Sequence, residues 1–89
     1  MMKMHVLKIN ILYLLDILYH GKSFEIRKDD RGYEVGDLIH FVDANGNEFT
    51  ESFDKLVFRI TYILRDVPQY GLDKAYCILA IEAIKGDRS

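Results

Sequence analysis

One cysteine, one proline and no tryptophan occur in 89 residues, and each scarcity narrows the reading. A lone Cys77 forbids an intramolecular disulfide and cannot build a structural zinc site. It sits in the apolar run 76–81, where a buried, inert thiol is the expectation, and a reducing compartment fits it. With only Pro68 and six glycines there is no Pro/Gly/Ser linker. No internal repeat breaks the pattern either, so residues 1–89 read as one module. Long apolar runs are also missing. The longest, residues 9–19, contains Asn10 and Asp16 and falls well short of the roughly twenty residues a membrane span needs. No small-residue cleavage site follows it, and Gly21-Lys22 leads straight into a patterned strand, so a signal peptide is rejected. A cytoplasmic protein with no membrane partner is the expectation. Positive charge is not in excess: 12 basic residues stand against 14 acidic ones, for a net charge of −2. That argues against a polybasic arm, so any polyanion would have to be met by a local cluster.

Metal chemistry is equally thin. His5, His20 and His40 are scattered, and Asp29-Asp30 with Asp37 reads as solvated turn material. There is no HExxH, no phosphate-loop glycine pattern and no recognisable Ser/His/Asp arrangement. No metal and no cofactor are expected.

What is present is an ordinary globular composition, 49% apolar and 29% charged. A domain this small buries only about 60–65% of its unfolded surface, so its stability is modest unless it dimerises. Residues 4–8 read as a short strand. Asn10 suits a helix N-cap, and Ile11, Leu14, Leu15 and Leu18 follow on one helical face up to Gly21, which fits the left-handed position past the helix end. Leu12, Tyr13, Ile17 and Tyr19 widen the apolar surface. The helix is therefore either deeply wedged or part of an interface, and a homodimer through Leu12, Tyr13 and Tyr19 is one expectation.

The rest reads as strands. Residues 23–27 alternate, with Phe24 and Ile26 on one face and Ser23, Glu25 and Arg27 on the other. If the apolar face is the core, the charges project outward or into a cleft. Gly36-Asp37 introduces a strand over 38–43. Asn45-Gly46 signals a type I′ hairpin with a returning strand over 48–53. Residues 56–64 place Phe58, Ile60, Tyr62 and Leu64 on one face. A loop over 66–73 carries Pro68 and Gly71, and 75–83 is a final strand, apolar on both faces and so central or barrel-closing. The fold class is mainly β with one principal helix (α+β), a small curled sheet or barrel with the helix packed on it. The period-2 segments exclude a helical bundle.

Residues 22–31 hold seven charges, four basic and three acidic. Glu25 between Lys22 and Arg27 is held ionised and oriented by two cations, which also offer donors to phosphate, Arg27 bidentately. The alternative is a solvated strand face with weak ion pairs.

Gly21-Lys22-x-x-Glu25-x-Arg27 resembles the glycine, lysine, glutamate and arginine signature of the ASCH (activating signal cointegrator homology) domain, a relative of the PUA fold. Flanking blocks at residues 5–9, 24–31, 35–37, 61–64 and 76–79 resemble a compact bacterial and phage subgroup in order and spacing, over about residues 4–84. The resemblance implies a five- to six-stranded PUA-like β-barrel with a helix over one opening. It implies a cleft lined by Lys22, Glu25 and Arg27 that binds RNA or a nucleotide-like ligand. Arg31 adds a phosphate contact and Tyr62 or Tyr33 a stacking ring. One branch of that family is an amidase acting on acetylated cytidine. There a threonine stands where this chain has Glu25, so the hydroxyl nucleophile is absent. A hydrolase of modified nucleosides using Lys22 and Glu25 as acid and base stays as the alternative. Replacing Lys22 and Arg27 by alanine is expected to weaken RNA binding with the melting temperature nearly unchanged.

Overall fold

The computed structural model describes residues 2–49 and 57–84. The chain runs β1 (Met4–Lys8), α1 (Ile11–Tyr19), β2 (Phe24–Lys28), β3 (Leu38–Val42), β4 (Val57–Leu64), a 3₁₀ turn (Pro68–Tyr70) and β5 (Tyr76–Ile84). The fold is mainly β with one helix. Its five strands form a mixed sheet in the order β1-β3-β4-β5-β2, curled into a half-barrel. Among the described residues only β1 and β3 run parallel; the other neighbours are antiparallel. β5 lies between β4 and β2, which explains why its sequence is apolar on both faces. No helix among the described residues is long and apolar enough to cross a membrane.

The core fills the inside of the curl. Leu7, Ile39, Phe58, Ile60, Cys77 and Leu79 supply its centre, and Leu14 closes it from α1. Asn10 caps α1 by accepting the Leu12 N–H at 2.7 Å. The helix docks through Leu14, with Ile17 and Leu18 packed beside it, so the buried stripe is 14, 17, 18 rather than one beginning at Ile11. Ile11 is 41% exposed. The strand-like pairing continues through Ile9, whose N–H reaches the Val42 carbonyl, and the first helical turn then overhangs solvent before Leu14 meets the sheet.

Three sequence expectations change. The hairpin after β3 is not type I′, because Asn45 keeps a negative φ while Gly46 takes φ 85°. Gly46 N–H bonds to the Asp43 carbonyl and Asp43 N–H to that of Asn47. This is a type I turn closed by a left-handed glycine, the three-residue hairpin loop. Asp43 selects it, since its carboxylate accepts the N–H groups of Asn45 and Asn47, both at 2.9 Å. Of the returning strand over 48–53, residues 48 and 49 are not in strand and 50–53 lie outside the described residues, as does Leu56.

The second change is in β4. The register shifts between Ile60 and Tyr62, pairing Ile60 with Ile81 but Tyr62 with Ala80. The extra residue, Thr61, breaks the period of two. Ile63 therefore turns to the core, and Tyr62 is left 60% exposed on the outer face.

The third is β2, which is inverted. Glu25 pairs across the sheet with Leu79 and Arg27 with Cys77, both core residues. Phe24 and Ile26 face outward, 42% and 53% exposed. Facing residues of paired strands point the same way, so the core side chains of β5 place the charged row of β2 inside.

A buried polar hub fixes the start of β3. Asp37 accepts the Lys3 N–H on Oδ1 at 3.0 Å, and on Oδ2 meets His5 Nε2 at 2.8 Å and the Glu34 N–H at 3.0 Å. Burial alone would raise this carboxyl's pKa, but the bonds from His5, Lys3 and Glu34 outweigh it and hold the group below its ordinary value. The His5 ring packs on Tyr33 at 4.8 Å.

Candidate functional site

Gly21, at φ 79°, ends α1 and turns the chain back, with the Asp16 carbonyl accepting the N–H groups of both His20 and Lys22. Lys22 thereby lies over the start of β2. Its Nζ donates to Glu25 Oε2 at 2.6 Å, and Arg27 Nη1 stands 3.5 Å from Glu25 Oε1. Glu25 is 4% exposed, so this is no solvated strand face. One buried carboxylate takes a cation on each oxygen, and the trio carries one formal positive charge between them. Lys22 Nζ also sits 5.3 Å from the Tyr13 ring and 5.2 Å from that of Phe24, close enough for cation–π attraction. Lys22 and Glu25, the pair of the acid–base alternative, thus face each other directly.

The arginines reach across the opening of the half-barrel. In β1 the Lys3 carbonyl accepts from Leu38 and the Ile9 N–H donates to Val42, so the odd positions face β3. The backbone groups of Val6 and Lys8 therefore point to the free edge. Arg27 Nη1 donates to the Lys8 carbonyl at 3.0 Å and Arg31 Nη1 to the Val6 carbonyl at 3.2 Å. β2 offers its own free edge, since Ser23 and Asp29 bond toward β5. No ladder joins β1 to β2 among the described residues. Two guanidinium groups stand where a strand pairing would close the barrel, and they satisfy edge carbonyls that would otherwise be open.

Lys22, Glu25, Arg27 and Arg31 are thus brought to one side of the molecule. Tyr62 is not: it lies on the outer face, in a row with Ala80 and Phe24. Tyr33 is buried in the core, where desolvation raises its hydroxyl pKa against the opposing pull of Arg27 and Arg31, so it offers no stacking face. Leu12, Tyr13 and Tyr19 are exposed on the outward side of α1. A shallow cavity of about 210 Å³ adjoins the triad, lined by Ile17, Gly21, Lys22, Ser23, Phe58, Ile81 and Ala83. It is smaller than the roughly 300 Å³ at which drug-sized pockets begin. Among the described residues no three His, Cys, Asp or Glu side chains are grouped to hold a metal.

Sequence reasoning missed two parts of this region. The Asp37 hub joins residues far apart in sequence, and no local pattern announces it. Arg65 holds Asp29 through two bonds of 2.7 and 3.2 Å and donates to the Tyr33 carbonyl at 3.3 Å, fixing the turn that carries Arg31. Asp29 raises the Arg65 pKa further.

Compared with protein-family models, residues 4–81 match a domain of unknown function (DUF3850). No curated protein matches the chain.

Proposed function

We infer the function of this chain, which belongs to the DUF3850 family, from its buried triad: it binds single-stranded RNA or a nucleotide at the opening between β1 and β2. The observation that carries this reading is Glu25, buried and bracketed by Lys22 and Arg27. The carboxylate orients both cations and leaves them a net positive charge at an open edge. Lys22 and Arg27 meet phosphate, Arg31 adds a contact, and the exposed ring of Tyr13 offers a base a stacking surface. The likeness to ASCH domains, and through them to PUA-like barrels, supports the same reading, because its signature residues are the ones the fold gathers here.

Fluorescence anisotropy with a labelled single-stranded RNA, repeated across a salt series, tests it. About three cationic contacts give a slope near −2 for log K against log salt on a single strand. A salt-independent affinity, or no binding at low salt, overturns the phosphate reading. The exposure of Leu12 and Tyr19 supports a second reading, a homodimer through α1. Sedimentation at micromolar concentrations decides it: a monomeric mass removes the homodimer.

A further inference from the structure

We propose that the β1–β2 opening takes two successive phosphates of one single strand, the first at Arg27 and the next at Arg31. This rests on the reading above and adds the minimum ligand, a unit with two phosphates rather than a mononucleotide.

The guanidinium groups are set by β1 and not by their own flexible stems. Arg27 is bonded to the carbonyl of Lys8 and Arg31 to that of Val6, two positions apart on one strand. At the rise of a β-strand that separation is about 6.6 Å. A nucleotide and a dipeptide have the same number of backbone bonds per repeat, so an extended nucleic-acid strand laid along β1 steps its phosphates in register with those carbonyls.

The chemistry of the edge fits a polyanion. The outward carbonyls of Val6 and Lys8 are occupied by the arginines, while the N–H groups of the same residues face that edge as donors. Each guanidinium has five N–H groups. Arg31 has one of them on Val6, and Arg27 meets Lys8 and Glu25, so both retain donors for phosphate oxygens. Two of the nearby acids are engaged, Glu25 by Lys22 and Arg27 and Asp29 by Arg65, while Asp30, next to Arg31, is exposed to solvent. Beyond Arg27, Lys22 and the ring of Tyr13 continue the track, where the base attached to the first phosphate stacks.

Calorimetric titration with the 5′-phosphorylated mononucleotide pU, the dinucleotide pUpU and the deoxy counterpart pTpT tests the register. The expected result is that pUpU binds about tenfold tighter than pU. Arg31→Gln keeps a donor for the Val6 carbonyl but removes the charge. It should abolish that advantage and reduce the salt slope for pUpU by about 0.7. Arg31→Lys should restore the advantage in part, and a melting curve on each variant shows that the fold persists. Equal binding of pU and pUpU overturns the two-phosphate register while leaving the nucleotide reading standing. So does an advantage that survives Arg31→Gln. Failure of pU, pUpU and a hexauridylate alike overturns both. The ratio of pUpU to pTpT reports whether the ribose hydroxyl contributes.

Discussion

Glu25→Gln is the perturbation that probes the triad most sharply. The substitution keeps the shape of the side chain and removes the anion, so Lys22 and Arg27 lose their common partner. Breaking a buried pair by removing one member costs about 3–5 kcal/mol when the remaining charge cannot escape. Here the Lys22 and Arg27 side chains are 19% and 20% exposed, and their long stems let the charged heads turn toward water. That relief brings the cost to about 2 kcal/mol. In a domain of this size the melting temperature falls by about 8–16 °C. Urea unfolding followed by circular dichroism measures it, with an unchanged m-value showing that only stability moved. A loss under about 0.5 kcal/mol refutes the reasoning, since that is the scale of an exposed ion pair. A double-mutant cycle adds a finer check: coupling of Glu25 to Lys22, at 2.6 Å, should exceed coupling to Arg27, at 3.5 Å. The same logic revises the expectation that Lys22 and Arg27 can go to alanine without thermal cost. Removing both strands a buried carboxylate, so ligand assays need variants that keep a donor.

Asp37→Asn should cost about 3 kcal/mol near neutral pH, because the amide cannot accept from all three donors. The native carboxyl lies below its ordinary value of 3.8. Its stabilisation is therefore present above that value and lost as pH falls through the depressed one. Unfolding curves at a series of pH values should show the gap between wild type and variant closing in acid, and a gap constant down to pH ~2 contradicts the assignment. Cys77 is fully buried and burial raises its thiol pKa. A thiol reagent should label it only as fast as the protein unfolds, and rapid labelling of native protein would show that the core is open there. Tyr62→Ser should leave RNA affinity unchanged, because the Thr61 bulge turns that ring to the outer face; a weakened complex would place the ligand on the wrong side of the sheet.

Much of the fold was legible because it is written in local signals. Asn10 and Gly21 bound the helix, and the runs around residues 4–8, 24–28, 38–42 and 76–84 show as strands from their apolar spacing. What was illegible depends on pairing. The alternation of 24–28 shows two faces but not which is inside, and here Leu79 and Cys77 on the neighbouring strand decide it in favour of Glu25 and Arg27. The bulge at Thr61 exists only relative to β5, so Tyr62 was assigned to the wrong face. Lys22, Glu25, Arg27 and Arg31 were legible as a charged cluster. Their anchoring on Val6 and Lys8 was not, because it joins residues about twenty positions or more apart in the chain.

The most direct test is an NMR titration of the labelled protein with a short single-stranded RNA. Shifts concentrated at Lys22–Arg31 and at the β1 edge from Val6 to Lys8, with the Tyr62 face silent, are the predicted result. Shifts confined to the outer sheet face, or none at saturating RNA, would contradict a binding site at the opening of the half-barrel.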